Sequence, residues 1–200
     1  MDFDDRLDSA INKSRDFLLS RQTKDGYWVD ELESNATITA ELIFFMHFTE
    51  TVDLEKQKKL TSYLLHKQRE DGSWPLYFGG PCDINSAVES YMALKLAGVP
   101  ENRQEMILAR EAIFANGGIK DTRVFTKIFL AMFGQISWDV CPAVPVEIIL
   151  FKNWFPLNIY EMSSWSRGTV VPLSIVVSHK PVCHPLEGHG VKELFTVGDR

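Results

Sequence analysis

Hydrophobic and polar positions follow a repeating order along the first two thirds of the chain. Three amphipathic stretches, in which apolar residues recur at helical spacing between charges, each precede a stretch that is apolar on almost every side. The apolar stretches run over 39–48, 87–96 and 124–133. A helix that is apolar all round has to be buried, so such hairpins favour an outer layer of amphipathic helices around an inner apolar layer. The pattern predicts an all-α fold, with α/α hairpin repeats forming an incomplete α/α barrel.

The first two amphipathic stretches end in the same motif, Q-x-x-D-G-x-W, repeated at an offset of 46 residues. Its members are Gln22, Asp25, Gly26 and Trp28 in the first copy and Gln68, Asp71, Gly72 and Trp74 in the second. Asp-Gly tolerates positive φ, so we expect each helix to end there. The tryptophan ring can stack on the glutamine amide, which keeps hydrogen-bonding atoms for the ends of neighbouring helices. We predict that each motif is a structural clasp. The third copy, around Gly117 and Gly118, lacks both the glutamine and the tryptophan.

Other signals place the helix ends and divide the chain. Ser34 or Asn35, Asp53, and Asn102 with Glu105 are predicted N-terminal caps. A last apolar helix is expected from about Ser164 to Val177 despite Pro172, and nothing periodic follows Pro181. We therefore predict three parts: a helix with the first repeat (1–31), a partial barrel (32–180) and an irregular tail (181–200).

Composition and charge narrow the classes of function. The net charge is −6 without a basic stripe, which argues against nucleic acid as a partner. The segment carries no recognisable signal peptide or membrane-spanning stretch. Three separated cysteines favour a reducing compartment, and the spacing of Cys183, His184 and His189 fits no common metal site.

Several stretches together resemble one family. The repeated motif, Pro156–Glu161 (PLNIYE), Ser164–Arg167 (SWSR) and Arg123–Thr126 (RVFT) are similar to stretches of the squalene-hopene cyclases, which are class II triterpene cyclases with the terpenoid cyclase toroid fold. The resemblance implies a much longer isomerase with two α/α barrels that cyclises squalene without a metal or organic cofactor. Its D-x-D-D acid would lie in the second half, beyond this segment, so we expect the segment to be inactive alone.

Asp2-Phe3-Asp4-Asp5 also spells D-x-D-D, but we reject it as the proton donor. Protonating an alkene needs a neutral carboxylic acid in a dry pocket, which a solvated chain terminus does not provide. Asp4 and Asp5 are expected instead to favour the N-terminus of the first helix.

The resemblance also implies a set of cavity residues. Trp165 and Phe125 match aromatic side chains of the cyclisation cavity, Met162 and Val170 match a constriction of the substrate channel, and Leu32 matches a further cavity neighbour. Electron-rich rings stabilise the developing cations, although ordinary core packing is the alternative for any one of them.

Glu41, Glu89 and Arg123 are expected to converge on the inner layer, because Glu41 and Glu89 occupy similar places on successive apolar helices and Arg123 lies at the start of the third. They form either a structural ion-pair cluster or a polar network near the cavity.

Three hypotheses for function remain open. The chain is the N-terminal part of a squalene-hopene cyclase that makes hopene or hopanol for hopanoid biosynthesis, with squalene or a related polyprene as substrate and the remaining C-terminal part as partner. Alternatively it is a stand-alone module that binds a prenyl lipid, or it complements a separate chain that carries the catalytic domain. By resemblance, the full-length protein is expected to attach peripherally to the cytoplasmic side of the cell membrane.

Overall fold

The computed structural model of the chain describes residues 2–30, 33–156 and 158–195, and Leu32 therefore lies outside the described part. Every regular element in these ranges is helical, which confirms the predicted all-α fold class. The α-helices are α1 (Phe3–Arg21), α2 (Ala36–Phe48), α3 (Leu54–Lys67), α4 (Ile84–Leu96), α5 (Gln104–Ala115), α6 (Val124–Met132) and α7 (Ser164–His179). Short 3-10 helices cover Ile119–Asp121, Trp138–Val140, Val146–Leu150, Ile159–Glu161 and Lys192–Leu194. The chain divides into two compact units, Met1–Glu33 and Ser34–Arg200.

Local signals decide where the helices begin. Asn35 caps α2 by accepting the Thr37 N–H, and Asp53 caps α3 by accepting the Lys56 N–H, as predicted. The predicted cap at Asn102 is wrong, because α5 begins after Arg103. The Arg103 guanidinium instead makes two 2.8 Å hydrogen bonds to the Glu105 carboxylate, which is the group a capping box would need.

The first unit consists of α1 and the turn that follows it. Asp2 and Asp5 form a reciprocal capping box at the start of α1, and the apolar side chains along the helix, such as Leu7 and Ile11, stay exposed. At the other end, the Trp28 indole N–H donates to the Leu18 carbonyl at 2.6 Å. α1 buries none of its own residues, so this unit holds its shape through caps and turns rather than through a core.

The core of the second unit is built around α4. This helix packs against α2, α3, α5 and α6, and its residues from Asn85 to Leu96 are all buried. The expectation that every apolar helix is buried on all sides is wrong for α2, where Ile38, Leu42 and Phe45 lie on an exposed face. These three side chains are spaced as a single helical stripe, while the opposite side, including Ile43 and Phe44, packs into the core.

α7 is the last α-helix in the described part of the second unit. It begins at Ser164 as predicted, contains Pro172 and ends at His179. Val177 of α7 packs with Ile128, Ala131 and Trp138 in a small second cluster beside the main core.

The segment 181–195 is irregular in backbone but well packed. Val191 and Leu194 are fully buried in the main core, and the Cys183 N–H donates to the Met132 carbonyl at 2.7 Å. Tyr91 donates its hydroxyl to Glu193 at 2.8 Å, and Lys95 lies 3.0 Å from the same carboxylate. The segment is thus fastened to α4 by both apolar and polar contacts.

Candidate functional site

A buried polar cluster lies where α6 begins beside α4. Asn85 and Glu89 are four residues apart on α4 and so share one face of that helix. The Asn85 side-chain oxygen accepts the Arg123 N–H at 2.7 Å, which supplies a cap from another helix to the start of α6. One turn later, the Thr126 hydroxyl donates to Glu89 Oε1 at 2.5 Å.

Glu89 is the electrostatic centre of this cluster. It is only 1% exposed, and its Oε2 atom has no hydrogen-bond partner in the part of the chain that the structure describes. The Arg123 guanidinium is 3.8 Å from Oε1, too long for a good hydrogen bond. Burial raises the pKa of Glu89 to about 7, although the Thr126 bond lowers it and nearby Glu41 raises it further. The neutral, protonated form of Glu89 is therefore much more populated at neutral pH than it is for a solvated glutamate.

Glu41 and Arg123 complete the set of charges. Burial raises the pKa of Glu41, while the positive charge of Arg123 opposes that rise. Glu41 on α2, Glu89 on α4 and Arg123 at the start of α6 thus interact electrostatically. One partly exposed cation faces two carboxyl groups, and protonation of Glu89 relieves the excess negative charge.

The aromatic candidates occupy exposed positions. Trp165, at the start of α7, is 85% exposed, and Phe125 in the first turn of α6 is also exposed. Met162 and Val170 are half-buried. Within the described ranges, neither Trp165 nor Phe125 stacks on another aromatic ring. Phe125 belongs to the same helix turn as Arg123 and Thr126, so one aromatic candidate adjoins the polar cluster.

Two members of the cluster were missed by sequence reasoning. The apolar pattern of 87–96 does not single out Asn85, and Thr126 is marked only as part of the stretch Arg123–Thr126. Both act across a separation of about forty residues, since Asn85 and Glu89 contact residues 38 and 37 positions away. Nothing in local periodicity indicates such a pairing.

The D-x-D-D stretch at the N-terminus is solvated. Its four residues are exposed, and Asp2 and Asp5 cap α1. A solvated chain terminus lacks the dry pocket that a proton donor to an alkene requires.

A cavity of about 1010 Å³ lies elsewhere in the second unit. It is lined in part by Lys120, Lys127 and Lys192, and none of the predicted site residues lines it. Ammonium groups repel a developing carbocation, so this cavity does not suit hydrocarbon cyclisation.

Cys183 and His189 of segment 181–195 make contacts with backbone carbonyl groups. Cys183 Sγ lies 3.9 Å from the His47 carbonyl, and His189 Nδ1 lies 3.2 Å from the Leu96 carbonyl. The described ranges contain no group of three or more side chains suited to hold a metal ion. In the same ranges, no helix combines the length and apolar character needed to cross a membrane.

Comparison with known proteins gives one consistent answer. A family model described as the squalene-hopene cyclase N-terminal domain matches residues 11–200. The squalene–hopene cyclase of Alicyclobacillus acidocaldarius is 44% identical over 186 residues, covering 93% of this chain and 30% of that protein. The enzyme of Zymomonas mobilis is 42% identical over 192 residues, covering 96% and 29%. Dammaradiene synthase of Dryopteris crassirhizoma is 38% identical over 192 residues, covering 96% and 28%.

The chain thus spans about 30% of the length of the curated relatives it matches. The matched domain covers nearly all of the chain, and it includes both glutamine–tryptophan motifs and α2 to α7. The chain therefore belongs to the squalene-hopene cyclase family, as its N-terminal domain.

Proposed function

We propose that the chain forms the N-terminal part of a squalene-hopene cyclase and lines part of the apolar cavity in which squalene, or a related polyprene, becomes hopene or hopanol. The observation that carries the proposal is the set of large apolar side chains that α2, α6 and α7 leave exposed, above all Phe45, Phe125 and Trp165. A carbocation needs surroundings that exclude water and offer π density. Exposed rings on otherwise well-packed helices fit the wall of such a cavity.

The individual side chains have distinct roles in this proposal. Trp165 and Phe125 present ring faces to cationic intermediates, while Met162 and Val170 form a constriction in the substrate channel. Leu32 is a further cavity neighbour. Glu41, Glu89 and Arg123 form a polar network at one edge of the cavity, next to Phe125. The alternative, that these three charges are only a structural ion-pair cluster, predicts that their removal changes stability without changing the products.

The proton that starts cyclisation has to come from outside this segment. The D-x-D-D stretch found here, at residues 2–5, is exposed and serves a helix cap. We propose that the acid belongs to the remaining C-terminal part of the full-length enzyme, with which residues 1–31 and the partial barrel of residues 32–180 assemble. We further propose that the assembled enzyme attaches peripherally to the cytoplasmic side of the cell membrane.

A chimeric enzyme tests the proposal directly. The matched N-terminal segment of the Alicyclobacillus cyclase is replaced by this chain, and the product is incubated with squalene and analysed by gas chromatography and mass spectrometry. We expect the chimera to form hopene, whereas the 200-residue chain alone forms none. A chimera that folds and yet leaves squalene unchanged would contradict the proposal.

Trp165→Ala in the chimera tests the assignment of the cavity wall. Losing one cation–π contact of about 1–2 kcal/mol should lower the cyclisation rate about tenfold, or release prematurely terminated products. Trp154→Ala is the matched control, because Trp154 is similarly exposed at 79%, against 85% for Trp165, and has no predicted role. Equal effects of the two substitutions on the cyclisation rate and products would contradict the assignment of Trp165 to the cavity wall.

A second candidate function keeps the exposed apolar faces but assigns them to binding. In this version the chain is a non-catalytic module that holds a prenyl lipid, or a partner chain that carries the catalytic domain. The exposed stripe Ile38, Leu42 and Phe45 on α2 favours it, because such a stripe can receive a ligand without any chemistry. Saturable binding of squalene to the chain, together with an inactive chimera, would favour this candidate.

A further inference from the structure

The large cavity of the second unit lies where segment 181–195 packs beside the end of α6. Gln135, which lines the cavity, joins the two parts of the chain. Its Oε1 atom accepts the Val191 N–H at 2.8 Å, and its Nε2 atom donates to the Phe133 carbonyl at 2.8 Å. A Cβ on Gly190 would lie only 2.8 Å from the same Oε1 atom. Part of the cavity wall is therefore held in place by contacts with the backbone.

Three ammonium groups surround this cavity. Lys120 comes from the 3-10 helix before α6, Lys127 from α6 itself and Lys192 from the last 3-10 helix. Within the described ranges, none of the three forms an ion pair with a carboxylate. Asp121, next to Lys120 in sequence, lies against Gly117, where an added Cβ would collide with its carboxylate. The cavity is thus locally positive on a chain whose net charge is −6.

The other carboxylates near these lysines in sequence have partners elsewhere. Glu193 accepts from the Tyr91 hydroxyl at 2.8 Å and lies 3.0 Å from Lys95. Asp139 lies 3.5 Å from Lys180. Neither Glu193 nor Asp139 lines the cavity. A cleft lined by charges of one sign concentrates ions of the opposite sign, so the lysines favour an anionic ligand.

The rest of the lining includes large apolar side chains. Ile119, Ile136, Val140 and Phe195 lie around the same cavity. Its volume of about 1010 Å³ is at the upper end of the range of roughly 300–1,000 Å³ that small-molecule sites occupy. An inorganic anion would neutralise the lysines but leave the apolar walls in contact with water. The lining therefore suits a ligand that has both an anionic head and an apolar tail.

We propose that this cavity binds a soluble amphiphile in which a diphosphate ester carries a hydrocarbon tail. One phosphate ester has a charge of about −1.5 to −2 at neutral pH, so a diphosphate matches three ammonium groups better than a monophosphate does. Lysine binds phosphate oxygens as a compact point charge. The tail covers Ile119, Ile136 and Phe195. A soluble ligand is favoured over a lipid in a bilayer, because the lysines surround a concave cavity.

This site is separate from the proposed cyclisation cavity. None of the residues assigned to cyclisation lines it. The inference therefore goes beyond the proposed function and does not depend on it.

Calorimetric titration tests the proposal with the 200-residue chain. Farnesyl diphosphate is the probe, used below the concentration at which it forms micelles. We expect one binding site with a dissociation constant on the order of 10 μM. Farnesol and inorganic diphosphate, which each supply half of the ligand, should bind at least tenfold more weakly. Added salt should weaken the binding of farnesyl diphosphate, because it screens the ammonium groups.

Lysine substitutions locate the binding site. Lys127→Gln and Lys192→Gln should each weaken the binding of farnesyl diphosphate about tenfold, through loss of one charged contact. Lys58→Gln is the matched control, because Lys58 is an exposed lysine of α3 outside the cavity. It should leave the dissociation constant unchanged, and circular dichroism checks that all variants fold. Unchanged binding in the two cavity variants, or an equal loss in the control, would overturn the proposal.

Further arms of the experiment separate other occupants. Equal affinity for inorganic diphosphate would overturn the role of the tail, and equal affinity for farnesol would overturn the role of the lysines. Binding to phosphatidylglycerol vesicles that displaces farnesyl diphosphate would assign the lysines to a bilayer and contradict a soluble ligand. Lysine-dependent binding that the chain shows and the chimera lacks would mean that the rest of the enzyme fills the cavity, which also overturns the proposal. A chimera that binds farnesyl diphosphate in this way but forms no hopene would count against the proposed function alone.

Discussion

At the scale of single residues, Glu89 is a carboxyl group that the fold holds away from water. Its side chain is buried, one oxygen accepts from Thr126 and the other has no partner among the described residues. An ionised carboxylate in that position lacks part of the hydrogen bonding that water gives it. The raised pKa of about 7 is the direct result.

Glu89 should make the stability of the protein depend on pH near neutrality. Its folded-state pKa lies above the unfolded value of 4.5, so the folded state binds the proton more tightly. Stability contributed by Glu89 is therefore full below pH 4.5 and is lost as pH rises to about 7. We expect Glu89→Gln to match the wild type near pH 4.5 and to exceed its free energy of unfolding by about 3 kcal/mol at pH 8. Urea unfolding at a series of pH values measures this difference.

Glu105→Gln serves as the control for that measurement. Arg103 holds the pKa of the half-buried Glu105 at about 2, so Glu105 titrates below the pH window of Glu89. The control should keep the wild-type slope between pH 4.5 and 7, and an unchanged slope in Glu89→Gln would contradict the assignment.

The residue scale also shows where sequence reasoning succeeds and where it stops. The caps Asn35 and Asp53 could be predicted because each acts on N–H groups two or three residues away. The predicted cap at Asn102 is wrong because the Arg103 side chain binds the Glu105 carboxylate that a capping box would need. The places of Glu41 and Glu89 on successive apolar helices, with Arg123 at the start of the third, predict that these charges converge. Asn85 and Thr126, which bond to Arg123 and Glu89, belong to a contact between helices that no local pattern encodes.

At the scale of elements, the turn after α3 and the start of α5 behave as one interlocked unit. Gly26 and Gly72 occupy equivalent places in the two motifs, with φ of 87° and 81°. Both therefore suffer similar backbone strain if a side chain is added, about 1 kcal/mol. Only at Gly72 does a Cβ also collide with the Leu108 carbonyl.

This pair of glycines gives a matched test of helix docking. We expect Gly72→Ala to lower the free energy of unfolding by about 1–3 kcal/mol more than Gly26→Ala does, since overpacking adds to the strain. Chemical unfolding followed by circular dichroism and tryptophan fluorescence measures both variants. Equal losses of the free energy of unfolding in the two variants would mean that α5 moves away from the added methyl group without destabilising the fold. That result would contradict the close contact between Gly72 and Leu108.

The helices themselves were largely predictable, but the burial of their faces was not. Apolar periodicity and capping residues located α2, α4, α6 and α7 to within a few residues. α2 and α4 have similar apolar sequences, yet α4 is enclosed and α2 exposes Ile38, Leu42 and Phe45. This difference in burial depends on which elements pack around each helix. When a helix is apolar on every side, its sequence does not indicate which side remains exposed.

At the scale of the whole molecule, segment 181–195 contributes to the main core of the second unit although its sequence shows no periodicity. Val191 and Leu194 are fully buried there, and Glu193 bonds to Tyr91 across 102 residues of sequence. The sequence predicts only an irregular tail here, because the burial of this segment depends on side chains of α4 that are remote in the chain.

Two leucines within this segment test its contribution. Leu194→Ala should lower the free energy of unfolding by about 2–5 kcal/mol, because it leaves a cavity in the core. Leu186→Ala, at an exposed position of the same segment, should change it by less than about 0.5 kcal/mol. The midpoints of urea unfolding of the two variants measure this difference. Similar losses of the free energy of unfolding would show that the segment does not behave as part of the core.

The bond between Tyr91 and Glu193 has a consequence for how the protein is made. At about 5–20 residues per second, a ribosome needs roughly 5–20 s to add the residues that separate them. During that interval α4 has emerged while Tyr91, Lys95 and the surface later covered by Leu194 still lack their partners. The nascent chain therefore passes through a stage in which part of the apolar surface of α4 is exposed and prone to aggregation. A chaperone that shields α4 should then raise the yield of folded protein.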